Sequence, residues 1–264
     1  MLQRYAKLYW QFFKLRLKVM MEYRTDFFIG VFSTVLTQGA AVLFIGIVFS
    51  HIESIHGWTF YEIMFIYGIS MTGRALEYIF FDNLWMVGMN YIRPGNFDRL
   101  MIRPINPLFN LIADRVQADG LGQLLTGVTV LLTASSQIGF DWTAGHIIFM
   151  LIAVLSSGVI FLSVNLFFAT FSFWMTDSIP IMMAVHGLSD FARYPLSIYP
   201  RVIQVILTFL IPYGFTAFYP AAFFMNDSSF KTVALWTPAA AAISLFLAYQ
   251  FWRRGLRAFT STGS

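Results

Sequence analysis

Long apolar stretches alternate with short polar ones along this chain. Residues 27–49 contain no charged side chain, and a run of that length crosses a hydrocarbon core of roughly 30 Å. Apolar stretches at 60–81, 116–134, 146–170, 173–191 and 232–251 predict five further spans. Ahead of them, Arg4, Lys7, Gln11, Lys14 and Lys18 recur every three or four positions, with Leu2, Tyr5, Tyr9, Phe12, Phe13 and Met20 on the other side. Over 1–26 this predicts an amphipathic helix lying in the membrane surface, its cations toward anionic headgroups. Arg16 breaks the pattern and marks either the helix's end or a contact with a partner.

Composition agrees with an all-α polytopic membrane protein. Hydrophobic residues make up 58% of the chain and charged residues 11%, against roughly 25% charged in ordinary globular chains. The net charge of +4 is no nucleic-acid signature, because the basic residues flank apolar segments instead of forming one patch. No cysteine is present, which excludes disulfides, zinc thiolates and thiol catalysis. The N-terminus does not read as a cleavable leader, since its basic lead-in is long and its first apolar run is span-length. Trp58, Trp85, Trp142 and Trp236 fall near span ends, as in an interfacial belt.

Basic residues set the orientation. Six Lys/Arg lie in residues 1–26, four between Asp82 and Asp119, and three after Phe251, whereas the alternate loops hold only Lys231. The positive-inside rule therefore puts both termini and the 82–119 loop in the cytoplasm, with 252–264 as a cytoplasmic tail.

Within that loop, residues 91–109 form the most structured polar stretch. Arg93-Pro94-Gly95 reads as a turn. Asn96 is placed to cap a short helix, which Pro104 stops. Phe97, Leu100 and Met101 share one side of it, with Asp98, Arg99 and Arg103 around them. So short a helix is marginal alone and needs a partner surface. It reads as a docking knob.

Region 171–226 admits two readings. One makes Arg193 and Arg201 cytoplasmic, with a span at 202–219. The other makes 173–191 the fifth span and 199–225 a helical hairpin dipping into the outer leaflet. Pro195, Pro200, Pro212 and Pro220 cut the region into pieces too short to cross and favour the hairpin.

Several polar residues are candidates for function. Arg74 and Glu77 lie three apart near the middle of the second span, where ionisable groups are costly and find partners. They line a translocation path or a dimer contact, or else form a structural ion pair. Asp177, His186 and Asp190 admit a proton relay, or simply helix-end polarity. His51, Glu53 and His56 admit an outer metal site on an otherwise unbraced loop. No His-Glu-x-x-His pattern or Ser/His/Asp array suggests catalysis.

With these parts in order, the chain resembles the membrane subunits of ABC type-2 transporters, in particular a compact six-span branch. The local match is Ile92-Arg93-Pro94-Gly95-Asn96-Phe97-Asp98-Arg99-Leu100 through Arg103-Pro104-Ile105-Asn106-Pro107-Leu108. A second match is Arg193-Tyr194-Pro195-Leu196-Ser197-Ile198-Tyr199-Pro200-Arg201 with Ile211-Pro212, similar to the family's re-entrant hairpin before the last span. The resemblance implies a permease of the cytoplasmic (inner) membrane facing a second permease, homologous or identical. A separate ATPase dimer, carrying ATP and Mg, drives it through coupling helices, here Arg93 and Asn96 to Arg103. Phe97, Leu100 and Met101 are then expected to seat in the ATPase, and Pro200, Arg201 and Pro212 to shape the hairpin. The chain has no Gly-x-x-x-x-Gly-Lys-Ser/Thr loop of its own, binds no cofactor on this reading, and is not expected to be an enzyme. The expected activity is export of an apolar or amphiphilic compound (drug, toxin or lipid-like) by alternating access. An ion- or proton-coupled secondary transporter would show two related halves, of which the sequence has no sign. A non-transporting scaffold would need only the docking stretch.

Overall fold

The structure, a computed structural model, describes residues 2–139, 141–175, 178–225 and 228–260. Among the described residues every element is helical, apart from an isolated bridge between Ile55 and Trp58 that closes the turn after the first long apolar helix. Helix α1 (Leu2–Glu22) meets α2 (Arg24–Phe49) at Tyr23, whose backbone (φ −100°, ψ 46°) leaves helical geometry. At the start of α3 (Phe60–Phe81) the Thr59 N–H donates to the Glu62 carboxylate at 2.8 Å, satisfying a helix-end donor. Two short helices follow in the polar stretch, α4 (Phe97–Met101) and α5 (Pro107–Ala113).

The next long helices are α6 (Gly120–Ile138) and α7 (Ala144–Ala169). The α6 helix starts four residues beyond the expected 116. Arg115 donates to the Gln117 side-chain oxygen at 3.0 Å and Gln117 in turn to Asp119 at 2.9 Å, holding this segment in a turn. Gly139, in the left-handed conformation (φ 74°), ends α6. Three stretches, Arg24–Phe49, Gly120–Ile138 and Ala144–Phe173, are long and apolar enough to cross a membrane. The α3 helix and α12 (Thr237–Ala258) have 22 residues each, about 33 Å at the α-helical rise, but carry charges.

The stretch 173–191, expected as one span, is not one helix. A 3-10 turn (Thr170–Phe173) precedes it, and α8 (Ile179–Ser189) has only 11 residues before another 3-10 turn, Asp190–Arg193. Pro180 in the first turn of α8 is the cause, because a proline cannot continue a helix arriving from upstream. The chain nevertheless runs from one end of the bundle to the other. Met182 packs with Leu84, Phe97 and Trp252, whereas the Ser197 hydroxyl accepts from the Trp58 indole N–H at 2.7 Å. Arg193 and Arg201 thus sit toward the Trp58 end, opposite the docking stretch.

From there α9 (Arg201–Val205) and a π-helical turn (Ile206–Leu210) run inward, the chain breaks at Ile211–Pro212, and α10 (Phe218–Phe224) returns. The Thr208 and Tyr219 hydroxyls, 2.9 Å apart, tie the two arms. Phe218 meets Trp58 edge-on at 5.9 Å, so the arms begin and end at the same end of the bundle. The short helix α11 (Ser228–Ala234) leads into α12.

Helix α3 is the centre, packed on α6 and α7, with α12 on the far side of α7. Lipid supplies no hydrophobic drive between helices, so close approach at small residues does this work. A Cβ on Gly68 would stand 2.8 Å from the Leu131 backbone, and one on Gly73 would overlap the Ser157 side chain.

Candidate functional site

The polar stretch forms the turn its residues call for. Gly95 takes φ 73°, and its N–H donates to the Ile92 carbonyl at 3.1 Å. Asn96 does not cap α4 with its side chain; its amide instead donates to the Asn90 carbonyl at 3.2 Å. Asn96 itself has helical geometry, which turns its side chain away from the free N–H groups that a cap must reach.

The apolar side of α4 faces inward. Phe97 is fully buried, edge-on to Phe173 (5.2 Å), Trp252 (6.3 Å) and Phe259 (5.0 Å), and Leu100 is buried in the same cluster. Both were expected to seat in a partner; they anchor the knob to this chain instead. The short helix finds its stabilising surface within the chain, on α12 and the 170–173 turn. What it presents outward is Arg93, Arg99, Met101 and Arg103, with Ile102 the most exposed at 83%, while Asp98 is half-buried. Arg103 also donates to the Asn110 side chain at 3.1 Å. Past Pro104, Asn106 caps α5 by accepting from the Leu108 and Phe109 N–H groups (2.9 and 3.3 Å), with Pro107 at the first helical position. That Asn-Pro signal was readable in the sequence.

Two contacts place α1 against this stretch. Tyr5 meets Phe109 edge-on at 4.8 Å. Arg16 donates to Asp114 at 2.8 Å, Asp114 also accepts from the Tyr91 hydroxyl at 2.9 Å, and Asn83 donates to Tyr91 at 2.9 Å and to the Leu111 carbonyl at 2.6 Å. Burial raises the Tyr91 phenol above its ordinary pKa, which keeps the proton it donates to Asp114.

A cavity of about 530 Å³ lies inside the bundle, lined from α2 by Thr37 and Gln38, from α3 by Arg74 and Glu77, and from beyond α7 by His186 and Tyr213. Arg74 and Glu77 are both buried, and both face it. They do not bond to each other. Arg74 donates to Asp190 at 3.2 Å and lies 2.7 Å from the His186 ring nitrogens, while Glu77 accepts from the Asn165 amide at 2.7 Å. Arg193 pairs with the same Asp190 oxygen at 3.1 Å, and its guanidinium lies over the Tyr67 ring. A second pair, Arg115 with Asp82 at 3.4 Å, stands at the docking end. Burial raises the Asp82 carboxyl above its ordinary pKa, with Arg115 opposing and Asp119 adding. Asn165 was missed in the sequence, though it is the one carboxamide in the span-length run at 146–170.

The remaining candidates lie elsewhere. Pro200 and Arg201 are exposed at the start of the 199–225 segment, and Pro212 stands at its inner break. His51 turns back on its own helix, Nδ1 3.0 Å from the Ile47 carbonyl, and among the described residues no three His, Cys, Asp or Glu gather as a metal site. His186 and Asp190 meet through Arg74, while Asp177 lies outside the described residues.

No curated protein and no solved structure matches the chain. The family model for ABC-2 family transporter proteins matches residues 35–263, taking in the polar stretch 91–109, the cavity residues from Thr37 on and the broken 199–225 segment, and the chain belongs to that family.

Proposed function

We propose that this chain is the permease half of an exporter driven by a separate ATPase dimer that holds ATP and Mg. Its cargo is an apolar or amphiphilic compound. The observation that carries the reading is the vertical arrangement of three parts. An exposed knob of Arg99, Met101, Ile102 and Arg103 stands at the basic end of the bundle. A 530 Å³ cavity lies above it. The 199–225 segment dips from the opposite end, and its Tyr213 lines the cavity from that side.

The long helices with the broken 179–198 segment give six crossings, with both termini at the basic, cytoplasmic end and the 199–225 segment as an outer-leaflet hairpin. Helix α1 lies in the inner membrane surface. The knob docks the ATPase through its exposed residues, while buried Phe97 and Leu100 transmit the push to Trp252 on α12 and to the 170–173 turn. The outer face of α2, with Phe28, Phe32, Leu36, Leu43 and Phe44 exposed, meets lipid and a second permease, homologous or identical. No nucleic acid is involved.

Co-purification and vesicle transport test this. The chain should bring down an ATPase in mild detergent, and Ile102→Asp with Arg99→Glu should abolish both that recovery and ATP-driven cargo movement without lowering the melting temperature. Cargo movement driven by an ion gradient, with no ATPase required, overturns the proposal.

A further inference from the structure

The charged groups around the cavity are unevenly matched. Arg74 and Arg193 share Asp190, and Arg115 pairs with Asp82. Glu77 is the exception: it is 6% exposed, lines the cavity, and no guanidinium or ammonium among the described residues comes within 4.0 Å of it. Among the described residues its hydrogen-bond partner is the neutral Asn165 amide, which donates to Oε1. Arg74, one turn away on α3, acts on Glu77 only at longer range, since its own donors are directed at Asp190 and His186. His186 accepts from Arg74 and so brings no charge. Of the charged side chains that line the cavity, Arg74, Arg115 and Arg193 each have a carboxylate within ion-pair distance, Asp190 just outside the lining and Asp82 within it, which leaves Glu77 as the lining carboxylate outside these pairs.

A buried carboxylate without a bonded counter-ion is costly, and the cost is relieved by protonation or by a cation that enters beside it. The walls are suited to an organic one. Tyr78, Trp85, Phe161 and Tyr213 line the same space, and aromatic faces attract ammonium and guanidinium groups most strongly where water is excluded. A hard metal ion would need several oxygen ligands, and among the described residues no three His, Cys, Asp or Glu gather around Glu77 as a metal-sized cluster. We propose that the cavity takes the cationic group of an organic amine cargo, with Glu77 as its counter-ion and the surrounding rings as its walls. This rests on the cavity being the cargo path and narrows the cargo from amphiphiles in general to those carrying a positive nitrogen.

The test is equilibrium binding to the full chain in lipid nanodiscs, with no ATPase present, using 4-phenylbutylamine, 4-phenylbutanol and 4-phenylbutyrate as probes. The amine should bind at least about tenfold more tightly than the alcohol or the acid, the scale of one charge-assisted hydrogen bond. Glu77→Gln should remove that advantage and leave alcohol binding unchanged. A second variant, Trp85→Leu, should weaken the amine about two- to thirtyfold with little effect on the alcohol, by loss of a cation–π face, and decides the matter if Glu77→Gln does not fold. Preferential binding of the acid, or equal binding of amine and alcohol by the unaltered chain, overturns the inference; so does a full amine preference in Glu77→Gln or, failing that variant, in Trp85→Leu. Because no ATPase enters the assay, loss of ATPase recovery would sink the exporter reading alone, whereas intact ATP-driven export without amine binding would sink only the inference.

Discussion

Arg16 of the first helix donates to Asp114, 98 residues further on, at 2.8 Å. The pair ties α1 to the polar stretch 91–114, since Asp114 also accepts from Tyr91. Its side chains are about one-third exposed, so solvent screening keeps the coupling small, below about 1 kcal/mol. A double-mutant cycle of Arg16→Ala and Asp114→Ala should return a coupling of that size in thermal melts. Hydrogen exchange in α1 should rise in either single variant. Unchanged exchange throughout α1 would show that Tyr5 and Phe109 hold the helix without the pair.

Phe97 and Ile102 should separate folding from docking. Phe97→Ala empties a buried aromatic site and should cost about 3–5 kcal/mol, read as a loss of melting temperature and of folded yield. Ile102→Asp removes no internal contact of that kind and should leave the melt within about 0.5 kcal/mol while lowering ATPase recovery. An Ile102→Asp chain that recruits the ATPase normally would move the docking surface elsewhere.

These two residues also mark what the sequence could carry. The turn at Arg93-Pro94-Gly95 was legible because proline and glycine dictate backbone geometry locally, and Gly95 takes the positive φ expected of it. The short helix was legible too, as was the broken character of the 199–225 segment, from its prolines. Which way Phe97 faces was not, because an apolar stripe is the same whether it meets a partner or Trp252 of its own chain. Arg74 and Glu77 stood out as costly charges in an apolar run. Their partners, Asp190 at a separation of 116 and Asn165 at 88, are set by packing and not by spacing.

Asn165 should prove necessary to Glu77. Asn165→Leu leaves a buried carboxylate without its donor and should destabilise by about 1–3 kcal/mol. Adding Glu77→Gln should recover most of that loss, because the amide carries no charge to solvate. The melting temperatures of the two variants and their combination decide it; a combination no better than Asn165→Leu alone would mean that the bond contributes little.

The chain has no cysteine, so single introduced thiols report position directly. Ser197→Cys should react with a membrane-impermeant maleimide from the same face as Glu53→Cys, since Ser197 bonds to Trp58 in the turn that also carries Glu53. Arg253→Cys should label only from the opposite face. Ser197 and Arg253 labelling together would return Arg193 and Arg201 to the cytoplasm.

The bare backbone at Gly68 and Gly73 has a mechanical meaning. At these two glycines α3 leaves room for the Leu131 backbone and the Ser157 side chain, and an axial shift of α6 or α7 would bring either against a bulkier position of α3. Helices α3, α6 and α7 therefore pack as one closely seated unit. The cavity wall made by His186, Ser189, Arg193 and Tyr213 belongs to chain already interrupted at Asp190, Pro195, Pro200 and Pro212. The cavity is therefore walled on one side by continuous, closely seated helices and on the other by short helical pieces, each ending where the backbone leaves helical geometry.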